Sequence, residues 1–172
     1  LPVRLPSSTD DPPVKSLTPF RGDNSDFSDD ARSDISPVAS KLRDEGFETP
    51  VYHLINDDLH STRYHFLSLT DKSGRTVAHV MRRLWNGAQP PRKRLFTTFI
   101  TEFSDGTFLV TTSAAADMLW PDSIDLQREV KAEPAVLWHE HQERLVMMPG
   151  GNQPVLVRNA SSIANLLERY HQ

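Results

Sequence analysis

The chain has 172 residues, 37% of them hydrophobic and 24% charged, with 13 Pro, 7 Gly and no Cys. That length predicts one folded domain, no stretch approaches the ~18 consecutive apolar residues of a membrane-spanning helix, and the lack of cysteine excludes a disulfide scaffold, a thiolate metal site and a cysteine nucleophile. A formal charge of −4 argues against a protein that coats nucleic acid with its whole surface, while leaving room for a local basic patch.

Residues 1–35 read as a flexible linker or tail. Pro2, Pro6, Pro12, Pro13 and Pro19 stand among seven Asp and four basic residues, and the few apolar side chains follow no period. Such a stretch cannot bury enough apolar surface to offset about 1 to 2 kcal/mol of backbone entropy per residue. The chain opens on Leu1, so an upstream segment, cut away by processing or otherwise, is expected, and no signal peptide stands in the sequence. The globular domain is expected over 36–172.

Ser36-Pro37 supplies a capping hydroxyl and a proline suited to a first helical turn, and Val38, Ala39 and Leu42 recur at helical spacing. Gly46 fits a left-handed stop, with Leu42 and Phe47 placed to touch across it. A helix over 37–45 follows. Next come a strand at Val51–Ile55, a polar loop from Asn56 to Ser61, a strand over 62–70, a turn at Asp71-Lys72-Ser73-Gly74, and a strand from Arg75 to Trp85. In that last strand Val77, His79, Met81 and Trp85 share one face and Ala78, Val80 and Leu84 the other. Asn86-Gly87 and Pro90-Pro91 break it.

Two β-prone runs, 95–103 and 107–112, flank Asp105-Gly106, the preferred pair of a two-residue type I′ hairpin. That turn would oppose Phe103 to Phe108, Thr101 to Val110 and Phe99 to Thr112 on one core face. Residues 114–120 suit one or two helical turns before Pro121, and 124–131 are ambiguous between strand and loop. A helix is expected over 134–147, a short strand at Pro154–Val157, and a last helix capped by Asn159 that buries Ile163, Leu166, Leu167 and Tyr170. Short links imply antiparallel pairing. The fold class is therefore α+β: one curved antiparallel sheet of about five strands, packed on one face by an N-terminal helix and C-terminal helices. The order resembles the cystatin-like and nuclear-transport-factor-like architectures.

Among residues that could carry chemistry, His139-Glu140-His141 resembles a metal pair, but on a helix neighbours two apart point about 200° away from each other. His139 shares a face with Glu143, and His141 lies on the apolar stripe as a core histidine. His53, Asp57, Asp58 and His60 form a polar loop cluster without the spacing of a calcium loop. No metal, cofactor or catalytic set is expected. Arg21-Gly22-Asp23, the acceptor triplet Asn159-Ala160-Ser161, Met147-Met148-Pro149-Gly150-Gly151, Ser113 and Ser123 lack the context that would give them a role.

Positive charge is the clearer signal. Arg82, Arg83, Arg92, Lys93 and Arg94 lie in one segment without an acid, with Trp85 among them, and pairing of the flanking strands would bring them to one end of the sheet. Arginine with tryptophan suits an anionic protein or lipid headgroup, and nucleic acid less, since no recognition helix or aromatic RNA-binding pattern accompanies it.

Three stretches carry a family resemblance: Leu42-Arg43-Asp44-Glu45-Gly46-Phe47, Ser73-Gly74-Arg75 before a strand, and Thr101-Glu102-Phe103-Ser104-Asp105-Gly106-Thr107 running to Thr112. With Leu137-Trp138-His139-Glu140-His141, they resemble an uncharacterised bacterial α+β domain in which a helix ending Gly-Phe leads to a sheet with a Thr-x-Phe-x-Asp-Gly-Thr hairpin. The resemblance spans about residues 38–148 and implies a membrane-associated protein; it transfers no active site.

The leading expectation is a non-catalytic soluble head, tethered by its tail, that binds a protein or small ligand. The alternatives are a small hydrolase using His53, His79 or His139 with a carboxylate, and anion or nucleic-acid binding through the basic hairpin at 82–94.

Overall fold

The structure is a computed structural model and describes residues 27–57, 61–114, 124–128, 132–148 and 152–170. Its elements are α1 (Asp29–Asp44), β1 (Phe47–Asp57), β2 (Thr62–Asp71), β3 (Val77–Trp85), β4 (Arg92–Glu102), β5 (Phe108–Thr112), β6 (Ile124–Arg128), α2 (Pro134–Met147) and α3 (Ala160–Tyr170). The strands form one open sheet in sequence order, antiparallel from β1 to β5, with β6 added parallel to β5. The α+β class is as expected from the sequence, with six strands rather than five. The stretch ambiguous at 124–131 supplies β6; the helical turns expected at 114–120 fall largely outside the described residues.

Helix α1 begins eight residues earlier than the Ser36-Pro37 signal suggests. Ser28 is its cap, accepting from Ala31 N at 3.3 Å, and Asp29 and Asp30 occupy the first turn, where the helix dipole favours acids. Ala31, Ile35, Ala39 and Leu42 form its buried face, so the apolar period runs back into what composition alone assigns to the tail. Pro37 sits inside the helix on its exposed side, where water can take the carbonyl that loses its partner. The expected ending holds: Gly46 has φ 90°, its N–H donates to Arg43 O at 2.9 Å, and Leu42 and Phe47 are buried in one cluster.

The β4–β5 hairpin differs from expectation by one residue. A type I′ turn needs positive φ at both central residues, and here only Gly106 takes one, at 83°. The Asp105 carboxylate instead accepts from the backbone N–H of Thr107 at 3.0 Å and its hydroxyl at 2.7 Å. Phe103 N donates to Thr107 O and Gly106 N donates to Phe103 O, leaving a three-residue loop, Ser104 to Gly106. The observed pairs are Phe99 with Thr111 and Glu102 with Phe108. Since a one-residue slip exchanges faces, Phe99 and Phe108 point to opposite sides of the sheet.

Both sides are therefore core. Phe99 joins α1, Phe47, Leu67, Val80, Leu137 and Trp138 on one side, with the Phe99 and Trp138 rings 5.3 Å apart. Ile100, its neighbour in sequence, joins Val77, Phe108, Val110, Ile163, Leu166 and Leu167 on the other. Helices α1 and α2 thus cover one face, and α3 covers part of the opposite one, which corrects the one-sided packing expected above. Asn159 caps α3 as predicted, accepting from Ser162 N at 2.9 Å. Arg169 pins α3 to β4 through a two-point contact with Glu102 (2.6 and 2.5 Å). Of the strand expected at Pro154–Val157, only the Phe103–Pro154 bridge forms; Val155 N bonds Glu102 O and Val157 N bonds Gly74 O instead.

Candidate anion-binding site

The end of the sheet at the β3–β4 hairpin carries all six residues singled out by charge, and strand alternation divides them between two faces. Register opposes Arg82 to Leu95 and Leu84 to Lys93, which places Arg82 and Lys93 on the α1 side. Arg83 opposes Arg94 and Trp85 opposes Arg92, on the outer side.

On the α1 side the cations are already used. Arg82 is 1% exposed, donates through Nε to Asp34 at 2.7 Å, and pairs through Nη2 with Asp30. Lys93 reaches Asp34 at 2.9 Å and Asp30 at 3.8 Å. Burial alone would raise the Asp34 carboxyl, but the Lys93 ammonium and the Arg82 guanidinium outweigh it and hold it below the usual carboxylate range. The same hydrogen bond to Asp34 raises Lys93. His65 stands opposite Arg82 on β2. Burial, then the charges of Arg82 and Arg63, push it down to about 4, so it is neutral beside the guanidinium. These contacts brace α1 on the sheet; composition assigns Asp30 and Asp34 to the tail and so hides them.

On the outer side Arg83, Arg92, Arg94 and Trp85 are exposed. The Arg83 guanidinium lies 5.8 Å from the centroid of the Tyr64 ring, and that of Arg92 lies 5.7 Å from Trp85. Among the described residues no carboxylate pairs with any of the three arginines. Cross-strand rows extend the surface: Ile55, Tyr64, Arg83 and Arg94 form one, and His53, Phe66, Met81 and Phe96 the next. Tyr64, half-buried on β2, is a site residue that charge counting along 82–94 misses; period-two register across the β2–β3 turn would have found it.

The histidines fall elsewhere. His141 has no exposed surface and bridges two strands, with Nε2 3.0 Å from Thr101 Oγ1 and Nδ1 3.0 Å from Thr111 Oγ1. Burial, with the charge of Arg144, depresses it to about 3. His139 is exposed and 3.4 Å from Glu143, as its helical face requires. His79 Nδ1 is 2.8 Å from Ser68 Oγ, within reach of a nucleophile–base pair, but Ser68 is wholly buried and presents no hydroxyl to a substrate. His53 is buried beside Phe66. In the polar cluster of His53, Asp57, Asp58 and His60, residues 58–60 lie outside the described residues. Among the described residues no group of three or more His, Asp or Glu is placed to hold a metal ion, and no helix is long and apolar enough to cross a membrane.

A shallow cavity of about 210 Å³ opens at the far end of the sheet, lined by Glu48, Thr49, Asp71, Lys72, Ser73 and Arg158 among others. Of its two lining acids, Asp71 is committed to the β2–β3 turn, accepting from the N–H groups of Ser73, Arg75 and Thr76 (3.2, 2.8 and 2.8 Å). No family model, curated protein or solved structure matches the chain.

Proposed function

We propose that this protein is a non-catalytic binding module that takes an anionic partner on the outer face of the β3–β4 hairpin. One observation carries the reading: at the same sheet end, Arg82 and Lys93 are neutralised by Asp30 and Asp34, whereas Arg83, Arg92 and Arg94 face outward with aromatic rings beneath two of them and no acid among the described residues. On a chain of net charge −4, three such guanidiniums make a local positive field that attracts and orients an anion.

The test is retention on immobilised heparin. Reversing Arg83, Arg92 and Arg94 together to Glu is expected to abolish retention at low salt without lowering the melting temperature by more than a few degrees. Arg82 and Lys93 are left unchanged, because reversing them would break the α1 brace and confuse misfolding with lost binding. Retention of the triple variant equal to that of the parent would overturn the reading.

A further inference from the structure

Resting on that reading, we infer that the partner's recognised group is a phosphate ester, held between the guanidiniums of Arg83 and Arg94 with Arg92 at the rim. The register places Arg83 and Arg94 directly opposite one another on neighbouring strands, where like charges repel. Among the described residues no carboxylate pairs with either guanidinium. Asp30 and Asp34 sit on the other face of this sheet end and are bound to Arg82 and Lys93. Sheet order adds direction: Tyr64 is on β2, on the opposite side of β3 from β4, so the Arg83 head resting over its ring leans away from Arg94. Space is thereby left above the β3–β4 seam, between two cations.

A dianion with three acceptor oxygens fits that space better than a carboxylate. Each guanidinium presents a planar fork of donors that matches two phosphate oxygens, and a phosphomonoester carries about −1.5 to −2 charges near pH 7, against one for a carboxylate. Arg92, in the neighbouring cross-strand row about 7 Å along the strands, is within reach of a third oxygen or an adjoining phosphate. Tyr64 and Trp85 hold the Arg83 and Arg92 heads in place, which lowers the ordering cost of binding.

The experiment titrates the full chain with inorganic phosphate by calorimetry, then measures sedimentation with phosphatidylcholine vesicles containing or lacking phosphatidylinositol 4-phosphate. Saturable phosphate binding is expected, weakened about tenfold or more by Arg83→Lys and by Arg94→Lys. Lysine keeps the charge that heparin senses and removes the fork, so heparin retention of both variants should stay near that of the parent. Sedimentation only with the phosphoinositide would assign the phosphate to a lipid headgroup. Phosphate binding without vesicle association would assign it to a free phosphate ester, and either outcome supports the clamp. Absence of saturable phosphate binding, or lysine variants that bind phosphate like the parent, would overturn the clamp. A charge-reversed triple variant that loses heparin retention would still uphold the broader anion-binding reading.

Discussion

Asp34 sits between two cations, accepting from Arg82 Nε and Lys93 Nζ, and its removal would leave a guanidinium of 1% exposure with Asp30 as its one remaining described acid. Breaking a buried pair from one side is costly because the surviving charge stays desolvated. Asp34→Ala is therefore expected to destabilise by about 2 to 3 kcal/mol in urea unfolding. Asp29→Ala, whose carboxylate is 97% exposed and pairs with Arg32, should cost less than about 1 kcal/mol. Equal midpoint shifts for the two variants would refute the brace. At His141 both ring nitrogens meet threonine hydroxyls: Nδ1 that of Thr111, which also accepts from Arg144 at 3.0 Å, and Nε2 that of Thr101, which lies 2.8 Å from the hydroxyl of Thr76. Burial, with the charge of Arg144, keeps the ring neutral. Its pKa is about 3 folded against 6.5 unfolded, so below pH 6.5 the unfolded state binds the extra proton. Its contribution is fully present above pH 6.5 and is lost as pH falls toward 3, amounting to about 2 kcal/mol between pH 7 and pH 5. His65, lowered for the same reason, adds in the same direction over about pH 6.5 to 4. Stability measured against pH should lose part of this acid slope in His141→Gln, and an unchanged slope would contradict the depressed pKa of the buried ring. That His141 is core and His139 exposed is readable from helical period; the two threonines that hold His141 are not, because they come from β4 and β5.

At the scale of elements, sequence signals succeed where they are local and fail where two compete. Helix α2 begins and ends where Pro134 and the apolar spacing place it, because the proline and the periodic face agree. Helix α1 does not, because Ser28 outcompetes Ser36: burial of Phe27, Ala31 and Ile35 against the sheet rewards extending the helix backward through an acidic first turn. The β4–β5 hairpin is legible as a hairpin, but the choice between two- and three-residue loops rests on whether Asp105 uses its side chain. Two turn glycines illustrate how tertiary contact adds to local strain. Gly106 has φ 83° with open space around it, whereas Gly74, at φ 68°, would place a Cβ 3.2 Å from Val157 O. Gly106→Ala should cost about 1 kcal/mol from backbone strain alone, and Gly74→Ala distinctly more, since it also displaces the strand-like segment bonded through Val157 N. Thermal unfolding of both variants checks the order, and a larger loss at Gly106 would reverse the account.

For the whole molecule, the decisive arrangement is a sheet with two differently clothed faces. One is covered by α1 and α2 over Phe99, Leu67 and Val80; the other is covered by α3 only around Ile100, Val77 and Val110. The remaining outer surface at the β3–β4 end is where the arginines without an acid partner among the described residues gather, so under the proposed reading charge reversal there is expected to remove heparin retention while the fold stands. Residue patterning by itself determined the α+β class, the antiparallel order of β1 to β5, the extent of α2, the cap of α3 and the clustering of positive charge on one hairpin, because each depends on near neighbours in the chain. Only the tertiary structure decided which cations are spent and which are available. Alternation put Arg82 and Lys93 over α1, where Asp30 and Asp34 meet them, and Arg83, Arg92 and Arg94 on the opposite face. That division depends on a helix start, a loop length and the side on which each helix packs, and those are set by burial between segments far apart in sequence.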